Sequence, residues 1–167
     1  MKLIFSHGKE SGPFGRKMVH LAHVALKKGC YVQSLDYTDL SCPEARAERL
    51  LEVLTRSAEP QLLVGSSMGG YVSLVASQQV PVAGLFLMAP AVGLPGYAMH
   101  DGFELETVPT AIVHGWRDEV VPVEQVIGFA RQQRADLQLV DSDHRLSSAM
   151  PTLVRRFDAW LDERRRR

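Results

Sequence analysis

The stretch Gln61-Leu62-Leu63-Val64-Gly65-Ser66-Ser67-Met68-Gly69-Gly70-Tyr71 constrains this chain more than any other. The apolar run Leu62 to Val64 predicts a buried strand, and Tyr71 to Ala76 predicts an apolar helix. Between them lies a G-x-S-x-G pattern, which carries meaning only where a strand turns sharply into a helix. Such a turn needs small flanking residues, hence Gly65 and Gly69. It also lifts the central side chain clear of a strained backbone. Ser67 is thereby the candidate nucleophile, at a helix N-terminus whose free N–H groups favour negative charge. The same pentapeptide suits an ordinary Gly-rich turn equally well, so the remaining sequence decides.

That remainder alternates short apolar runs with amphipathic segments. Strands are expected at Leu3–Phe5, Tyr31–Leu35, Leu62–Val64, Gly84–Met88, Thr110–Val113 and Leu137–Val140. The first helix carries Met18, Leu21, Ala22 and Ala25 on one face and ends at Gly29, the residue a C-terminal cap wants. Pro43 opens the second, striped by Ala47, Leu50, Leu51 and Leu54. Later helices turn Val123, Val126, Ile127 and Ala130, then Leu153, Phe157, Trp160 and Leu161, inward. Strands that are apolar without alternating, each followed by a helix, predict a mostly parallel six-stranded sheet in a three-layer αβα sandwich. Ala89 to Pro109 shows no period and is expected to be a long loop of the functional or mobile kind.

A chain of 167 residues predicts one α/β domain, over residues 1–163, followed by a frayed basic tail, Arg164 to Arg167. Formal net charge is zero, so nothing invites nucleic acid or an anionic membrane. No segment approaches the roughly 18 apolar residues of a membrane span. The N-terminal run Lys2–Phe5 is too short for the apolar part of a signal peptide. Cys30 and Cys42 form no disulfide framework and no metal-ligand spacing. A reducing, cytoplasmic location is therefore expected. His20 and His23 stand one helical turn apart with no carboxylate or cysteine at ligand spacing, so no metal is expected.

In sheets of this kind the loops beyond the strand C-termini carry the chemistry. Those positions hold His7-Gly8, Ser67, His114-Gly115-Trp116-Arg117-Asp118 and Asp141-Ser142-Asp143-His144. Nucleophile, acid and histidine thus occur in the order Ser67, Asp118, His144, the order of an α/β-hydrolase sheet. A neutral imidazole can take the serine proton and return it to a leaving group, which assigns His144. A buried carboxylate must hold the tautomer of that imidazole. Asp118 is preferred for this over Glu119, Asp141 and Asp143; Asp143 is expected to shape its loop through an Asx turn. A tetrahedral intermediate needs two N–H donors. Met68 is expected to supply one, and Lys9, or alternatively Gly8, the other. His7 and His114 are as compatible with loop shaping as with chemistry.

Taken together, Phe5-Ser6-His7-Gly8, the elbow around Ser67, His114-Gly115-Trp116-Arg117-Asp118-Glu119-Val120-Val121-Pro122 and Asp141-Ser142-Asp143-His144 resemble the α/β-hydrolase superfamily along nearly the whole chain. The Gly-Ser-Ser-x-Gly-Gly elbow is similar to that of small serine esterases and acyl-thioesterases. The resemblance implies Ser67, Asp118 and His144 as a triad, with Met68 and Lys9 at the oxyanion hole, and no cofactor. Two departures from the family pattern are expected: its N-terminal antiparallel strands are missing, and its cap is reduced to the Ala89–Pro109 loop.

The expected function is a serine hydrolase acting on a small-molecule carboxylic ester or thioester through an acyl-enzyme. An amide, peptide or lactone would pass through the same oxyanion, and a catalytically silent binding protein would keep the same fold. Phe14, Tyr71, Leu94, Tyr97 and Met99 are candidates for an acyl pocket. The sequence leaves the oligomeric state open.

Overall fold

A computed structural model of the protein describes residues 1–95, 97 and 102–166. Met99 and Arg167, both named above, lie outside the described residues. Elements alternate along the chain: β1 (Lys2–Ser6), α1 (Arg16–Lys27), β2 (Tyr31–Leu35), α2 (Pro43–Leu54), β3 (Leu62–Ser66) and α3 (Met68–Ser77) come first. β4 (Gly84–Met88), β5 (Thr110–Gly115), α4 (Val123–Gln133), β6 (Asp136–Val140) and α5 (Met150–Arg165) complete the order. Six strands form one sheet in the order β2-β1-β3-β4-β5-β6, and every pairing is parallel. The sheet is thus wholly rather than mostly parallel. Several strands extend one or two residues past the apolar runs, because ladder hydrogen bonds continue into Ser6, Ser66 and Gly115.

Alternate residues of each strand point to opposite faces, and both faces are covered. Ile4, Leu63, Leu85, Leu87 and Ile112 pack with α2, α3 and α4. Leu3, Phe5, Leu62, Val64, Phe86, Met88 and Val113 pack with α1 and α5. On the second face Phe86 meets Phe157 edge to face at 5.0 Å, and Phe157 stacks on Trp160 at 5.9 Å. Each such fully buried side chain contributes about 1.5–3 kcal/mol.

The helix ends follow their chemistry. Gly29 takes φ +74° just past α1, where only glycine enters the left-handed region freely. Pro43 opens α2. α5 runs through Arg164 and Arg165, so the basic run begins inside the helix instead of after it. No described helix is long and apolar enough to cross a membrane.

In the loop between β4 and β5, Phe103, Glu104 and Leu105 are strapped to the helices. The Gln133 side chain donates to Phe103 O at 2.6 Å and accepts from Leu105 N at 3.0 Å. Gln78 Oε1 accepts from Glu104 N at 3.0 Å. Phe103 and Leu105 are consequently buried against α3 and α4.

Candidate active site

Strand register brings the chemistry-bearing loops to one edge of the sheet. Ser6 pairs with Gly65 and Ser66 with Met88, so the loop after β1 and the turn after β3 leave the sheet side by side. They lie at the point where the strand order reverses between β1 and β3, where such sheets bind ligands. At the other end, Gly115 pairs with Val140, and Trp116 N donates to Val140 O at 2.9 Å. A Cβ on Gly115 would meet Asp143 O at 2.7 Å, so a glycine there lets the loop after β6 close on the loop after β5.

Ser67 sits at φ 53° and ψ −120°, in the left-handed region that a serine rarely enters. The surroundings over-determine that strain. Ser67 N donates to Met88 O at 2.9 Å, and Ser67 O accepts from the amides of Gly70, Tyr71 and Ala91. A Cβ on Gly65 would lie 2.5 Å from Gly69 O, so the turn admits no side chain there.

The side chain lifted out by this turn meets His144. Ser67 Oγ lies 2.9 Å from His144 Nε2, and His144 Nδ1 lies 2.7 Å from Asp118 Oδ2. A carboxylate can only accept, so the imidazole proton is on Nδ1 and Nε2 is free to accept from the serine hydroxyl. The Asp118 side chain is fully buried. Its Oδ1 accepts from the amides of Val120 at 2.9 Å and Val121 at 2.8 Å. Burial pushes this carboxyl up, but the hydrogen bonds from His144 and from those two amides prevail and hold it below the usual carboxylate range.

The rival acids lie elsewhere. Asp141 pairs with Arg117 at 2.9 Å on the surface, Glu119 is exposed, and Asp143 Oδ1 accepts from Arg145 N at 3.0 Å in an Asx turn. Met68 is the first residue of α3, where an N–H has no acceptor within the helix. Gly8 lies against Ser67: a Cβ there would be 3.4 Å from Ser67 Cβ.

Of the acyl-pocket candidates, Phe14 is 80% exposed on the loop after β1. Tyr71 is buried, meeting Tyr97 at 4.8 Å and Phe103 at 6.0 Å, and the partly buried Leu94 packs on the same cluster.

Three residues near the site gave little or no signal in the sequence. His114 is fully buried, donates from Nε2 to Val121 O at 3.0 Å and lies 3.4 Å from Asp118 Oδ2. It braces the acid loop. Arg46 is buried beneath the loop after β1. Lys17, half-buried in the first turn of α1, has its ammonium pushed down to about 8 by burial, against the pull of Asp118 and Asp143. Among the described residues no group of His, Cys, Asp and Glu is arranged to hold a metal.

Burial also pushes the imidazoles of His7 and His114 below 6.5. A histidine held neutral in this way stabilises the fold above its unfolded value, and that contribution drains away as pH falls through about 6.5. The urea midpoint is therefore expected to decline between pH 7 and pH 5, with net proton uptake on unfolding. A midpoint flat across that window would contradict the neutral, buried state of both rings.

Residues 2–111 match the model of an uncharacterised protein family, UPF0227. A crystal structure from Xanthomonas campestris pv. campestris, described as a candidate hydrolase of the alpha/beta superfamily, is 36% identical, with a TM-score of 0.88. The match covers 97% of this chain and 98% of that one. The chain belongs to UPF0227 and to the α/β-hydrolase superfamily. The superfamily fold recurs at lower identity. Est1E from Butyrivibrio proteoclasticus is 18% identical, with a TM-score of 0.82 over 99% of this chain and 88% of that one. Alpha/beta hydrolase domain-containing protein 10 from mouse is 22% identical, with a TM-score of 0.77 over 97% and 90%. Among curated proteins none matches the chain.

Proposed function

We propose that this α/β-hydrolase is a serine hydrolase that cleaves a small carboxylic ester or thioester through an acyl-enzyme on Ser67. The observation that carries this reading is the continuous hydrogen-bond chain from Ser67 Oγ through His144 to the buried Asp118. Ser67 Oγ adds to the substrate carbonyl while its proton passes to His144 Nε2, and Asp118 stabilises the imidazolium that results. The carbonyl oxygen becomes an oxyanion, for which the N–H groups of Met68 and of Lys9 or Gly8 are the assigned donors. Collapse of this intermediate breaks the acyl–oxygen or acyl–sulfur bond, and His144 returns the proton to the leaving alcohol or thiol. Water, deprotonated by the same histidine, then releases the acid and restores Ser67.

Intact-mass analysis after fluorophosphonate treatment tests the reading. Wild type is expected to gain a single adduct and Ser67→Ala none, with ester hydrolysis lost in the same variant. A folded wild type that takes no adduct would sink the proposal in favour of a binding role for the fold. A panel of oxygen esters, thioesters, amides and lactones then ranks the acyl bonds. It includes a feruloyl ester, since a structure of Est1E holds ferulic acid.

A further inference from the structure

Among the described residues, Arg46 and Asp118 are the only buried side chains that carry a formal charge. Asp118 belongs to the triad. Arg46 sits on α2, 2% exposed, its guanidinium 5.4 Å above the Tyr37 ring. A cation removed from water needs partners, and here they are backbone carbonyls. Nε donates to Leu40 O at 2.7 Å, while Nη1 reaches Gly8 O at 3.3 Å and His7 O at 3.4 Å.

His7 grips the same peptide from a second direction. Its ring is fully buried, and Nε2 accepts from Tyr37 N at 3.0 Å, which leaves the proton on Nδ1. Nδ1 therefore donates to Gly8 O at 2.7 Å. Ser11 Oγ adds a longer bond to that oxygen at 3.4 Å. Three donors thus converge on one carbonyl of a loop that touches Ser67. A peptide unit is planar and trans, so an oxygen fixed on one side fixes the next N–H on the other. A buried ion contributes little net stability, so what this arrangement achieves is orientation.

We propose that Arg46 and His7 are positioning residues that hold the Gly8–Lys9 peptide with its N–H toward Ser67, setting the oxyanion hole before substrate arrives. The proposal rests on the serine hydrolase reading above. Without the clamp the peptide can rotate, presenting a carbonyl where a donor is required. Ground-state binding is not involved, so the loss falls on kcat and leaves KM nearly untouched.

The test compares wild type with Arg46→Met, Arg46→Lys and His7→Gln on a p-nitrophenyl ester and on a trifluoromethyl ketone. With the ketone, Ser67 Oγ adds to the carbonyl carbon, its proton passes to His144, and the ketone oxygen becomes the oxyanion. Losing an oxyanion donor outright costs about 10²–10³ in kcat. Arg46→Met is expected to lose about 100-fold in kcat with KM changed less than about threefold. Affinity for the ketone should fall by a similar factor. Arg46→Lys keeps charge but not the fork, and is expected to recover about tenfold of that loss. Should Arg46→Met not fold, Arg46→Lys and His7→Gln decide, each expected about tenfold below wild type in kcat. Folded variants with kcat within threefold of wild type, or with a loss confined to KM, overturn the clamp alone. A wild type that neither labels at Ser67 nor cleaves any ester overturns the hydrolase reading, and the clamp with it.

Discussion

Asp118→Asn is expected to lower kcat about 10⁴-fold with little change in KM, the scale of loss seen when a triad imidazole is held in the wrong tautomer. The cause can be traced atom by atom. The amides of Val120 and Val121 both donate to Oδ1 of residue 118, so an asparagine there must keep its carbonyl oxygen on that side. Its NH2 group then faces His144 Nδ1, which lies 2.7 Å from the present Oδ2. Two donors cannot share that contact, so the His144 proton moves to Nε2, where it blocks acceptance from Ser67. The same NH2 also meets the His114 Nε2–H, now 3.4 Å from Oδ2. Steady-state kinetics on a p-nitrophenyl ester, with a urea midpoint to confirm folding, checks this. A loss under tenfold would mean that Asp118 does not orient the base.

Gly69→Ala should produce the largest stability effect of a methyl added at any of the described glycines. A Cβ at Gly69 would fall on the Ser6 carbonyl and within 2.7 Å of His7 O, all backbone at the end of β1. Neither β1, paired on both sides by β2 and β3, nor α3, buried along its length, can yield cheaply. A destabilisation of about 3 kcal/mol or more is expected, equivalent to about 6–12 °C in Tm for a chain of this size. Gly128 supplies the opposite sign. It lies inside α4 with nothing within 4 Å of a would-be Cβ, so Gly128→Ala is expected to stabilise by about 0.4–1 kcal/mol. Thermal unfolding of the two variants beside wild type decides, and equal Tm values would refute both assignments.

The sequence carried the architecture because its signals were local. Apolar runs ended by glycine, and stripes such as Leu153, Phe157, Trp160 and Leu161, need only nearby residues to be read. Ser67, Asp118 and His144 could be expected to converge, as their hydrogen bonds show they do, because chain order and strand ends restrict where such residues fall. What stayed hidden depends on long-range packing. Arg46 looks like one more polar residue beside the apolar stripe of α2, and two of its three carbonyl partners lie 38 and 39 residues away. His114 could not be told from a solvated loop residue until Val121 and Asp118 closed around it. Lys17 gave no cue, since only the tertiary fold sets it near two carboxylates. The strap from Gln133 to Phe103 and Leu105 likewise joins segments that share no local pattern.

The strand order has a consequence for how the protein comes into being. Ser67 follows β3, Gly8 follows β1, Asp118 follows β5 and His144 follows β6, so the four parallel pairings from β1 across to β6 must form before the parts meet. Parallel pairing of this kind is non-local and slow to form. Of these residues His144 leaves the ribosome last, so a nascent chain halted before residue 144 holds the proposed nucleophile without its proposed base. The rate at which Ser67 takes a covalent label during refolding should therefore lag behind helix formation, making that label a clock for the final docking of β6.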